Sequence, residues 1–164
     1  MSARILPAEE ILALLRIAPH RIANAAAGLS EAVLTERPGP EEWSPNLILA
    51  HLRACQDIWG EIRVLRMLTE DHPTMRAVNP MTWLAQTDYR ELTFSESLQT
   101  FTVQRQRFVD TLAKLSREQW MRGGTFTGGG RPRLYTIHTE ADALARHERG
   151  HIKQIERLCN SNRV

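Results

Sequence analysis

The chain has 164 residues, of which 42% are hydrophobic and 24% charged, with a formal net charge of +2. Such a length suits one domain, 1–164, with room for a sizeable core. Only two residues are lysine and no basic block stands out, which argues against nucleic acid as a partner.

No apolar run reaches the roughly 18 residues of a membrane span. The opening MSARILPAEE turns acidic where a secretory signal needs its apolar segment. Cys55 and Cys159 make no disulfide framework and suit a reducing compartment, so a cytoplasmic location is expected.

In chain order, a first helix is predicted from Pro7 to about Ala27, with Glu9 and Glu10 at its positive end. Ile11, Leu14, Leu15, Ala18 and Ile22 form its apolar stripe. Pro19 lies inside that stripe and is expected to kink or split the helix. Gly28 closes it. Ser44 is a strong N-cap and Pro45 a natural first helical residue, so a second helix opens there and runs to about Thr69. One of its faces carries Ile48, His51, Leu52, Cys55, Ile58, Ile62 and Leu65.

Glu70 to Leu92 reads as a long irregular connection, with a short helical turn near Met81 to Gln86. A connection of that length can cross the end of a bundle. Thr93 and Glu96 form a capping box for a third helix to about Leu115. Leu98, Phe101, Arg105, Phe108 and Leu112 mark its inner side, Arg105 being expected at an edge. Ser116 and Gln119 cap one further turn. A glycine-rich segment, Gly123 to Gly130, reads as a flexible connector without the Gly-Lys-Ser/Thr of a phosphate loop. No strand stands out, apart from a brief extension at Arg131 to Tyr135. Four long amphipathic helices predict an all-α four-helix bundle.

The last helix, Thr136 to about Cys159, has the most unusual face: Ile137, Ala141, Leu144, His147, His151, Ile155 and Leu158. Residues four apart in a helix lie one above the other, so His147 and His151 can share one metal ion. His51 likewise interrupts an apolar stripe. Each histidine alone fits a hydrogen-bonded core residue. The pair together with a third on another helix fits a metal site, since bundle cores are a usual place for one.

His147-Glu148-Arg149-Gly150-His151 is also a literal H-E-x-x-H. A protease of that kind supplies strands to hold the substrate backbone, and the sequence offers none. Glu148 lies about 100° around the helix from His147, able to face the site or a helix interface. Cys55, one turn after His51, is a candidate fourth ligand or a packing residue. Gln154, three residues past His151, can orient a ligand or stay half exposed.

Trp43-Ser44 followed after six residues by His51-Leu52 resembles the W-S-x-x-x-x-x-x-H-L signature of the DinB/YfiT-like metalloenzyme family. His147-x-x-x-His151-x-x-Gln154-Ile155 is similar to that family's closing H-x-x-x-H-x-x-Q-I. Pro19 and the Asp71-His72-Pro73 turn resemble a subgroup of stress proteins. The resemblance implies a bundle with its long crossover between the second and third helices, and a homodimer. It implies a divalent metal, zinc or nickel, on His51, His147 and His151. Glu148 departs from the aspartate common in the family at that place. Characterised relatives act as thiol-dependent transferases or isomerases on low-molecular-weight thiols. The resemblance thus implies a metal that activates a small thiol or water, for thiol transfer or hydrolysis. The alternative is a non-catalytic stress-response protein whose metal is structural.

Overall fold

The computed structural model describes residues 4–163. Four long helical segments form a bundle: α1 (Ala8–Ala26), α3 (Pro45–Cys55) with its continuation, α6 (Phe94–Ala113) and α8 (Ile137–Ser161). Short helices α2 (Glu31–Thr35), α4 (Leu65–Thr69), α5 (Pro80–Leu84) and α7 (Arg117–Trp120) fill the connections. The predicted caps form: Ser44 accepts from the Leu47 amide, and Thr93 and Ser116 each close a capping box; Thr136 closes a further one with Thr139 ahead of α8.

Contacts between helix ends give the direction of each helix. The Leu6 amide donates to Asp142 near the start of α8, and Arg163 donates to the carbonyls of Ala25 and Ala27 at the far end of α1. α1 and α8 therefore run parallel. Arg63 reaches Glu140 while His51 lies beside His151, so the α3 segment runs against α8. Asn46 donates to the Leu92 carbonyl, and Arg122 donates to the Met67 carbonyl, so α3 and α6 run the same way. Parallel neighbours cannot be joined by a tight turn. The long connection predicted between Glu70 and Leu92 is that crossover.

Several expectations are corrected. Of the two outcomes expected at Pro19 the split does not occur: α1 is one helix, with Pro19 buried inside it. Proline has no N–H to give the carbonyl four residues back, and the Leu15 carbonyl instead accepts from Arg105 Nη1 at 3.1 Å. Arg105 is not at an edge: it is 1% exposed. The second helix changes from α to π geometry over Gln56–Val64. Its wider turn shifts the inward face, so Val64 and Met67 are buried while Ile62 and Leu65, predicted inward, are exposed, Leu65 at 56%.

Strands are also present. β1 (Thr74–Arg76) pairs in parallel with β2 (Gly123–Thr127), which pairs antiparallel with β3 (Arg133–Thr136). The glycine run is thus half strand. Its glycines hid the strand because they answer close backbone approach: a Cβ on Gly124 would lie 2.8 Å from the Pro73 carbonyl oxygen. The sheet ties the crossover to the entrance of α8.

The core divides in two along the bundle. Ile11, Leu15, Phe108, Leu112 and Leu144 belong to one apolar cluster, and Ile22, Leu49, Phe101, Ile152 and Ile155 to the other. Each such side chain contributes about 1.5–3 kcal/mol when fully buried. Between them lies a polar layer centred on Arg105. A third, smaller cluster packs Leu84, Trp83 and Tyr89 of the crossover on Ala50 and Ala54. Asp57 anchors it by accepting from Trp83 Nε1 at 3.0 Å and from the Tyr89 hydroxyl at 2.7 Å.

Candidate metal centre

His51 comes from the first turns of α3, whose start is fixed by the Ser44 cap. His147 and His151 come from successive turns of α8. The antiparallel packing of these two segments brings all three imidazoles together. Ring centroids are 4.8 Å apart for His147–His151, 4.8 Å for His51–His151 and 5.3 Å for His51–His147. One nitrogen from each lies within 4.8 Å of the others. This trio could hold a metal ion.

Two indoles wall the trio. Trp43 stacks parallel to His151 at 6.0 Å and meets His51 edge-on at 5.2 Å, while Trp59 lies 5.5 Å from His147. In the sequence Trp43 stands out only as the first residue of the W-S signature, and nothing singles out Trp59. The position of Trp43 directly before the Ser44 cap is the signal that places it. A cap that fixes the helix start also fixes the residue ahead of it, about two turns from His51.

The chemistry of the donors fits a cation. Burial, reinforced by the neighbouring His151 and His147, pushes the His51 imidazole down to about 4. Burial, with His151 adding to it, lowers His147. Burial also lowers His151, against the upward pull of its contact with Gln154. All three are thereby held neutral, the form that ligates. The Nδ1 atoms of His51 and His147 are buried without a partner among the described residues, so each ring keeps unused bonding capacity. His151 Nδ1 lies 3.4 Å from Gln154 Oε1, a contact that suits the orienting role predicted for Gln154.

Cys55 is fully buried, with Sγ 3.6 Å from His51 Nε2. Burial, chiefly, pushes its thiol up to about 12. His138 belongs elsewhere: its Nε2 contacts the Leu6 carbonyl and its ring meets Trp120. His72 contacts the Thr125 hydroxyl.

Glu148 is not part of the ligand cluster. It is 1% exposed and both its oxygens accept from Arg105, at 2.9 and 2.7 Å. Burial raises this carboxyl above its ordinary range, and Arg105 opposes the rise. A fork of two N–H donors needs both oxygens as acceptors, which keeps the group ionised. The H-E-x-x-H spacing is therefore met with both oxygens of its glutamate engaged by Arg105 instead of free to serve as the base of a zinc protease.

On the outer side of His151 a cleft of about 320 Å³ is lined by Glu41, Glu42, Trp43, His151, Gln154, Arg157 and Leu158. His51 is 6% exposed, while His147 and His151 are only half-buried. His151 is the member of the trio that borders this cleft.

The fold and the site define a helical bundle with three histidines from two helices at an accessible cleft. The chain belongs to the DinB superfamily, whose model matches residues 14–155. The solved structure of YfiT from Bacillus subtilis is similar, with a TM-score of 0.80 at 21% identity, covering 98% of this chain and 93% of that one. YfiT is described as a probable metal-dependent hydrolase with an unusual four-helix bundle topology. No curated protein matches the sequence.

Proposed function

We propose that the protein is a metal-dependent enzyme in which His51, His147 and His151 hold one divalent ion, zinc or nickel, at an open site. The observation that carries this reading is the trio itself: three clustered imidazoles, two with buried nitrogens that have no partner among the described residues, with His151 at the edge of a cleft. Three protein ligands with a free side are the pattern of catalytic rather than structural zinc. When bound, such an ion supplies Lewis acidity that makes water or a thiol a usable nucleophile near neutral pH.

The residues around it have separate tasks. Gln154 orients His151, and Trp43 and Trp59 shield the imidazoles from bulk water. The cleft, about 320 Å³, is at the lower end of the range for small-molecule sites, roughly 300–1,000 Å³, and suits a compact substrate. Hydrolysis of such a molecule is the reaction suggested by the description of YfiT. Transfer of a low-molecular-weight thiol is the one suggested by the family resemblance.

A second reading is a structural metal with Cys55 as fourth ligand, favoured by its 3.6 Å contact with His51. Elemental analysis of tag-free protein beside a His51→Ala/His147→Ala/His151→Ala variant tests the site. One equivalent of metal in the parent and none in the variant is expected. Failure to take up zinc or nickel on reconstitution would refute it. Cobalt substitution separates the two readings: azide or a small thiol shifts the spectrum of an open site and leaves a closed one unchanged.

A further inference from the structure

We propose that Arg105 is a positioning residue for the histidine trio, holding the helix of His51 in fixed register against the helix of His147 and His151. The proposal rests on the metal-centre reading above. Its basis is a single guanidinium that ties together all four bundle segments. Arg105 sits on α6. Its Nε donates to Gln56 Oε1 at 2.8 Å, at the start of the π segment. Nη1 donates to the Leu15 carbonyl of α1 and to Glu148 Oε1, and Nη2 donates to Glu148 Oε2 on α8.

The anchor points sit beside the ligands. Glu148 follows His147 directly and precedes His151 by three residues. Gln56 follows His51 by five. A change in the spacing or rotation of these two segments must break a bond to Arg105 before it separates the imidazoles. The chain is shaped to accommodate the device in two further places. Pro19 frees the Leu15 carbonyl that receives Nη1. Gly60 leaves room for the Gln56 amide, because a Cβ there would collide with Gln56 Nε2.

Stability alone does not account for this layer. Replacing a buried ion pair by apolar residues of similar volume is often neutral or stabilising. A polar layer that joins four segments supplies geometry instead, since hydrogen bonds fix direction and apolar contacts tolerate sliding. The layer also divides the two apolar clusters, each of which could shift along the bundle without it.

The test is cobalt titration of the metal-free parent and of an Arg105→Met/Glu148→Leu variant, with folding followed by circular dichroism. The expected result is a folded variant whose metal affinity is about 10- to 100-fold lower, the usual effect of losing an outer support of metal ligands, with a shifted cobalt spectrum. A folded variant with parental affinity and spectrum overturns the proposal. Should the double variant not fold, Gln56→Leu removes only the π-segment arm and decides in its place: unchanged affinity and spectrum overturn the proposal. A parent that binds no metal overturns both this inference and the centre on which it rests, whereas loss in the variants alone supports both.

Discussion

Glu148→Ala is expected to be among the most destabilising single changes in the protein, and a second ion pair in the same chain calibrates it. Arg105–Glu148 and Arg21–Glu156 are both bidentate, with bonds of 2.9 and 2.7 Å in the first and 2.8 and 2.7 Å in the second. They differ in burial. Side-chain exposure is 1% and 2% for the first pair, against 30% and 31% for the second. Removing Glu148 leaves a guanidinium charge in the core with only neutral acceptors, at a cost of about 3–5 kcal/mol. Removing Glu156 leaves Arg21 free to turn into water, and such exposed pairs contribute about 0.2–1 kcal/mol. For a domain of this size each kcal/mol moves Tm by about 2–4 °C, so Glu148→Ala should lower it by roughly 6–20 °C. Urea and thermal unfolding of the metal-free variants measure both changes. Equal losses for the two alanine variants would refute the argument that burial decides the value of the pair.

In the metal-free protein, stability should fall as pH drops from about 6.5, the ordinary histidine value, toward about 4, where His51 protonates in the fold. The unfolded chain binds more protons than the native one across that window, so the contribution is full above it. A flat urea midpoint through the window would contradict the buried, neutral imidazoles. Gly124→Ala should cost about 1–3 kcal/mol, because its methyl would meet both the Pro73 carbonyl and the Met75 side chain. Gly129→Ala is the control, since nothing among the described residues lies within 4 Å of its Cβ position, and equal losses in the two would undercut the close-approach argument.

The helices were legible because their signals are local. Ser44, Thr93 and Ser116 cap three of them through bonds to residues three positions away. The histidine trio was legible because two of its members share one helix face and the third breaks an apolar stripe. What the sequence hid depends on distant partners. Arg105 reads as an edge residue until Gln56, Leu15 and Glu148 are seen to surround it. Ile62 and Leu65 read as core because periodicity assumes 3.6 residues per turn, and the π segment departs from it. β2 was invisible for a related reason: its glycines suit contact with a neighbouring backbone, a property that local propensity scores against.

The parallel course of α1 and α8 fixes where anything joined to this domain must sit. A segment ahead of α1 and one after α8 leave from opposite poles of the bundle. The distance between those poles is close to the length of α8, whose 25 residues rise about 37 Å at 1.5 Å each. In a circular permutant the chain between the end of α8 and the start of α1 must number at least about 11 residues, at 3.3–3.6 Å per extended residue. Most domains bring their ends together and so can be inserted into a host loop. This bundle would instead act as a spacer, holding the proteins fused to its two ends apart.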